Sequence, residues 1–505
     1  MKDGRICIDG LYYNKDKTKL IGYDGDKVFT ELKILDTASF EPEVFKGIKT
    51  KDITVYIPKS LIPEIETNEC KASQPHGYED SPLPLFSNDK KFDSALTKHQ
   101  NATFNDFFGS IPNIEKVIVP SGTTKIGSEF FYNYSKMKEV VLPKSVKEIE
   151  KTAFYSTKKL EKINLENIEA IGDRAFAHSG VKDIKITDKT RYIGVYTFLE
   201  CKRLKSLIYD TNVNIPERFC EDCFMLDHLE INDNVKEIGD NAFLGCRCLN
   251  IDHLPKELEK IGKNAFTNTV IYPKLVIPEK VKEIENMAFF NTTGIKEVVF
   301  ENKTKFSIGD SAFGNSGIKE FTIPKNCVSV GKRIVSNCKE LETITFDSQW
   351  ITSIPEGFAA ECPNLSNLNF SVQMNRIGQS AFSKCNIKDI NKVLKESAAT
   401  YIEPSAFQCN KYEELILYKN MIIEHNAFSS DTLKKVVIAN DDMALDEDIL
   451  GDTTNAKVYC VFDYDQLLKY NPEKIEEKDI TNTLIDIIPF KDISRIANEV
   501  KEINK

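Results

Sequence analysis

The chain of 505 residues has one tryptophan, six histidines and no long hydrophobic run. Its apolar stretches end after three to five residues, far short of the roughly 20 that a membrane-spanning helix needs, so no transmembrane segment is expected. The histidines, His76, His99, His178, His228, His253 and His425, show no metal-ligand spacing such as His-Glu-x-x-His. No Gly-x-Ser-x-Gly elbow, phosphate loop or Gly-x-Gly-x-x-Gly turn occurs. Carboxylates are plentiful, but acid–base catalysis needs a pocket to hold them. No catalytic residue, cofactor site or metal site is therefore expected. Excess positive charge is also missing, with 67 Lys and Arg against 77 Asp and Glu, a net charge of −10. A nucleic-acid binder would carry a basic stripe, so nucleic acid is not an expected partner. The stretch from Met1 to Ile6 has no apolar leader and no anchoring signal follows Lys501, so a cytoplasmic location is expected if Met1 is the native start.

What the chain does have is a period. Phe108, Phe131, Phe154, Phe176, Phe198, Phe219, Phe243, Phe266, Phe289 and Phe313 follow one another at steps of 21 to 24 residues. Val335 takes the next slot, and Phe358, Phe382, Phe407 and Phe428 continue the series. Phe45 and Leu450 read as degenerate copies near the two ends. The phrase Ile-Gly-x-x-Ala-Phe recurs at Ile171–Phe176, Ile238–Phe243, Ile261–Phe266, Ile308–Phe313 and Ile377–Phe382. Such regularity means a stack of similar coils. After each anchor comes apolar-x-x-apolar-x-apolar, as in Leu160–Leu165; its last three residues alternate, which predicts a short strand with one face inward. Proline then stops several strands (Pro120, Pro143, Pro278, Pro324). The glycine suits a turn with positive φ, and Ala-Phe is expected to form one helical or 3-10 turn. Each strand should pair with its equivalent one repeat away, because a single coil cannot bury its own apolar side. At about 4.8 Å per coil, some seventeen coils would form a curved rod on the order of 80 Å long.

Thirteen cysteines would suggest disulfides in a small secreted chain, but here they follow the repeat. Cys201, Cys246, Cys338 and Cys385 lie three residues after their anchors, Cys223 and Cys362 four, and Cys409 two. One slot of stacked, reduced, buried thiols is the expectation. A zinc site from Cys220, Cys223, Cys246 and Cys248 is disfavoured, since Cys220 directly follows Phe219 and should point away from Cys223.

The repeat resembles the BspA-like leucine-rich-repeat family, whose unit reads roughly Leu-x-x-Ile-x-Ile-Pro-x-x-Val-x-x-Ile-Gly-x-x-Ala-Phe-x-x-Cys. The resemblance covers about residues 104 to 462, and Ile8–Ile21 is similar to the family's hairpin insertions. It implies an α/β repeat solenoid: a right-handed coil with one parallel sheet on the concave side and short helical or 3-10 turns on the convex side. The expected organisation is a hairpin cap (1–40), a degenerate first repeat (41–65), an irregular inserted loop (66–104), the repeat array (105–462) and a helical cap (463–505). In that cap Ile480, Leu484, Ile487 and Ile488 fall at helical spacing. Surface adhesion and host-protein binding are what the resemblance implies for function, with a cell-surface or secreted location.

A partner would meet the outward strand residues. One column holds Val141, Ile208, Val299 and Ile416; the column two residues earlier holds Glu139, Asp183, Glu297, Glu320, Asp389 and Glu414. Glu230 completes the candidate set, and His228 should be solvated beside it. This face reads as net acidic, suited to a basic or mixed patch on a protein ligand. The competing reading is a solvated sheet whose β-branched residues simply favour strands. The leading expectation is thus a non-catalytic, protein-binding scaffold acting in adhesion; the alternative is an intracellular interaction scaffold, which fits reduced thiols. The sequence names no particular ligand and no oligomeric state.

Overall fold

The computed structural model describes residues 5–58 and 103–460, except 252, 272, 418–420, 439–443, 446–448, 452 and 454–455. The inserted loop up to 102 and the helical cap expected at 463–505 lie outside the described residues. The chain divides into two units, Met1–Leu258 and Glu259–Lys505. Each is built of stacked coils whose strands run parallel, a solenoid of leucine-rich-repeat type with very few helices.

The alternating stretches form the first rail of strands. In unit 1, Asp183–Ile186, Ser206–Tyr209 and His228–Ile231 pair residue for residue, one coil apart. Unit 2 repeats this through Lys274–Ile277, Glu297–Phe300, Glu320–Ile323, Thr343–Phe346 and Asn367–Phe370. A second rail uses the two-residue pieces ahead of the glycine slot, such as Glu148–Ile149, Ala170–Ile171 and Tyr192–Ile193. At the amino end Ile6–Ile8, Leu11–Tyr13 and Lys19–Tyr23 form an antiparallel sheet. The next strand, Val28–Lys33, already pairs in parallel with Lys49–Tyr56, which pairs with Ile114–Ile118.

A third rail lies at the Ala-Phe segments, and it is not helical. In most coils two residues adopt the left-handed conformation, one two before Phe and one two after, such as Arg174 and His178, Tyr196 and Glu200, Ser311 and Asn315; in the coils of Phe219 and Phe358 the pair shifts by one residue, to Arg218 and Asp222 and to Gly357 and Glu361. Between them every second N–H reaches the neighbouring coil. Arg174 donates to Val195, Phe176 to Thr197 and His178 to Leu199, at 3.0, 2.9 and 2.7 Å. The intervening amides close tight turns, Ala175 to Gly172 and Ala177 to Arg174. Half the donors a helix would consume are therefore spent across coils, so turns form instead of the expected helical or 3-10 turn.

The glycine reading also needs correction. Positive φ belongs to the residue two positions later, while Gly172, Gly239, Gly309 and Gly331 keep ordinary φ. Their glycine is required by close approach: an added Cβ would lie 2.5 Å from Lys151 N at Gly172 and 2.6 Å from Asn286 N at Gly309. Among the described residues Gly127 meets nothing within 4 Å, and its strand, Lys125–Ile126, is the end strand of its ladder.

Phenylalanine fills the interior as a stacked column. Phe131, Phe154, Phe176 and Phe198 are fully buried, with successive centroids 4.8, 5.1 and 5.3 Å apart and nearly parallel rings. Phe266, Phe289 and Phe313 do the same in unit 2. Phe108 is not the ring that meets Phe131. The helix Phe104–Phe108 places Phe104 5.0 Å from Phe131 and turns Phe108 toward Phe45 at 5.9 Å.

Candidate binding faces

The expected thiol column exists, and its hydrogen bonding explains it. Cys201 donates to the Phe176 carbonyl, Cys223 to Phe198 and Cys362 to Val335, each at 3.1 Å. Cys246, Cys338 and Cys385 serve Cys220, Phe313 and Ala359 in the same way. Each thiol thus satisfies a buried carbonyl of the preceding coil while packing as a small apolar group. Cys409 does not belong to the column. It is exposed and left-handed, and Asn410 takes the slot, donating to Phe382 O at 2.7 Å. Cys220 does not turn outward either; it is buried with its thiol beside that of Cys223. Burial pushes the Cys220 thiol up to about 11 and Cys385 up to about 12. These are protonated, solvent-shielded groups, the opposite of a reactive cysteine. Among the described residues no group of three or more His, Cys, Asp or Glu is arranged to hold a metal.

On the sheet face the candidate residues fall into distinct situations. Glu139 is half-buried and paired with Lys116 at 2.7 Å across the strands. Glu297 pairs with Lys274 at 3.0 Å and Glu414 with Lys435 at 2.6 Å. His228 is exposed, with Nε2 3.0 Å from Glu230. Asp183 and Glu320 are exposed, and Val141, Ile208 and Val299 partly so. The lysines at Lys116, Lys274 and Lys435 come from the same column as the acids, so the face is an alternating charge ladder more than a uniformly acidic one.

Two candidates lie elsewhere. Asp389 is not on a strand: it caps the helix Ile390–Ser397, its carboxylate accepting from Lys392 N at 2.9 Å. That helix stands where a strand was expected, next to Asn367–Phe370 and Glu414–Leu417. Asn391 keeps part of the ladder by imitating a peptide group, its Nδ2 donating to Glu414 O and its Oδ1 accepting from Ile416 N. Asn164 does the same against Leu142 where the strand Lys162–Ile163 stops short. Ile416 is buried, at 8% exposure, and Val437 is fully buried, so the apolar column does not continue outward there.

Sequence reasoning missed a run of asparagines. Asn268, Asn291, Asn315 and Asn337 occupy the second left-handed position in four successive coils of unit 2. Their amides form a chain, Asn291 to Asn268 at 2.6 Å, Asn315 to Asn291, and Asn337 to Asn315 at 2.8 Å. The signal was there: asparagine two residues past the anchor is the residue that best tolerates this conformation after glycine.

Among the described residues no helix is long and apolar enough to cross a membrane. The search of curated proteins found no match. A leucine-rich repeat protein from Bacteroides ovatus, known from its crystal structure, aligns with a TM-score of 0.50 at 18% identity, covering 96% of this chain and 100% of its own. A leucine-rich cell surface protein from Faecalibacterium prausnitzii is 18% identical over 72% of this chain and 92% of its own, with a TM-score of 0.39. The first shares the fold. The model for the BspA type leucine-rich repeat region matches residues 102–218, 213–342, 290–396 and 329–457. With the coils, the carbonyl-serving cysteine column and these matches together, the chain belongs to the BspA type leucine-rich repeat family.

Proposed function

We propose that this protein is a non-catalytic scaffold that binds a protein ligand through the sheet face of its coils. The observation that carries this reading is an uncompensated charge. Glu297 and Glu320 stand directly opposite each other on adjacent strands, an arrangement that costs stability. Lys274 neutralises Glu297, while among the described residues Glu320 has no ion-pair partner. Beside them Val299 and Thr322 offer β-branched contacts on strands already fixed by backbone pairing, so a ligand would meet a preorganised surface.

Catalysis has little support here. The glycines and serines of unit 2 leave a groove of about 460 Å³ over Ser307, Gly309, Ser329 and Gly331. Its carboxylates are committed: Glu285 pairs with Lys260 at 2.5 Å, and Asp310 accepts from Lys332 N at 2.8 Å.

Adhesion at a cell surface is the form of the reading the family resemblance favours. The second form, an interaction scaffold in a reducing interior, draws on the protonated thiol column. Protease treatment of intact and lysed native cells separates them. Loss from intact cells supports adhesion, and survival until lysis supports the interior scaffold. Either form predicts that Glu297→Lys with Glu320→Lys weakens the ligand and flattens the salt dependence of association. Unchanged affinity and salt slope would remove the sheet face from the account.

A further inference from the structure

Two aromatic rings in unit 1 are each held between cations from the coils before and after. Tyr196 has the Arg174 guanidinium 4.3 Å from its centroid and that of Arg218 at 5.5 Å. Phe224 has Lys202 Nζ at 5.7 Å and Arg247 at 5.3 Å. Arg174, Tyr196 and Arg218 occupy the same left-handed slot in three successive coils, which aligns the first set. In each set one cation is compensated and one is not. Arg218 lies 3.3 Å from both Glu217 and Glu221, and Lys202 lies 3.1 Å from Glu200. Among the described residues neither Arg174 nor Arg247 has a carboxylate within 4.0 Å, and both are exposed.

A guanidinium laid on a ring has already lost much of its rotamer freedom while its N–H fork remains free. Gripping a carboxylate then costs less ordering than it would from a free side chain. We propose that this patch binds an acidic peptide segment of a partner protein. Arg174 and Arg247 each take one carboxylate, and Met225, on an intervening coil and 44% exposed, takes an apolar side chain. The two arginines are three coils apart, about 14 Å along the stack. An extended peptide advances ~3.3 Å per residue, so its acids stand at least about four residues apart. The net charge of −10 works against any acidic ligand at long range, so binding depends on these two forks and not on bulk attraction. The patch lies in unit 1, and the proposal is independent of the sheet-face reading.

The test is fluorescence anisotropy of the full chain with a labelled twelve-residue glutamate peptide carrying a central leucine, against the same peptide with glutamine for glutamate. The glutamate peptide binds and the glutamine peptide does not. Arg174→Gln with Arg247→Gln loosens binding at least tenfold. Arg174→Lys with Arg247→Lys keeps charge at both positions and recovers part of the loss, which guards against a Gln variant that fails to fold. Equal binding of the two peptides, or full affinity in both double variants, overturns the proposal. So does tighter binding of a sulfated polysaccharide such as dextran sulfate, which would assign the forks to sulfate.

Discussion

At the residue scale the repeat is governed by backbone crowding. Ile-Gly was readable as a signature, but its cause was not, because sequence cannot show that Gly309 lies against Asn286 N. A matched pair of variants separates the two explanations. Gly309→Ala, whose Cβ would sit 2.6 Å from that nitrogen, loses about 1–3 kcal/mol. Gly127→Ala, with nothing within 4 Å among the described residues, is neutral or gains up to about 1 kcal/mol. Chemical denaturation measures both; equal losses would remove close approach as the cause. The thiols give a pH signature. An unfolded cysteine titrates near ~8.5, whereas Cys220 and Cys385 are held near about 11 and about 12 by burial. Their neutral forms stabilise the fold fully below the unfolded value, and that contribution is lost as pH rises from there through the folded values. Under reducing conditions the denaturant midpoint should fall between about pH 8 and about pH 10.5. A flat profile would contradict the buried, protonated column.

At the element scale, strands were legible wherever apolar residues alternated, and failed where a side chain substitutes for backbone. Asp389 in the outward column implied a strand, yet the segment Ile390–Ser397 buries Ile390, Val393 and Leu394 at helical spacing under a capping Asp389. Aspartate is a favoured N-cap residue, but the repeat's period reads the same segment as a strand. Asp389→Ala should cost about 1 kcal/mol through the lost cap, read as a lower melting temperature, with little effect on ligand binding. Asn164→Ala removes two peptide-like bonds to Leu142 and should cost about 1–3 kcal/mol. Faster hydrogen exchange at the Leu142 amide is the local readout, and unchanged exchange there would show that the amide is satisfied by another group. Likewise the Ala-Phe turns, read as helical, donate every second N–H to the neighbouring coil; this long-range pairing leaves no trace in local propensity.

At the scale of the molecule the period alone announced a solenoid, since one motif repeated this often admits few other architectures. Charge balance on the face was less legible: Lys116, Lys274 and Lys435 lie in register with Glu139, Glu297 and Glu414, a pairing that counting acids along one column hides. Coil-to-coil stacking also sets how damage spreads. Phe289→Ala should cost about 3–5 kcal/mol, and in unit 2 the loss of exchange protection should concentrate in the coils of Phe266 to Phe313, sparing those of Phe382 to Phe428. The most direct test of the central claim, that the sheet face holds a protein ligand, is quantitative capture. Immobilised wild-type chain and the Glu297→Lys, Glu320→Lys variant, matched for folding, are exposed in parallel to extracellular-matrix and cytosolic extracts. The account predicts a protein retained by the wild type and depleted at least tenfold on the variant. Identical capture by the two would contradict it.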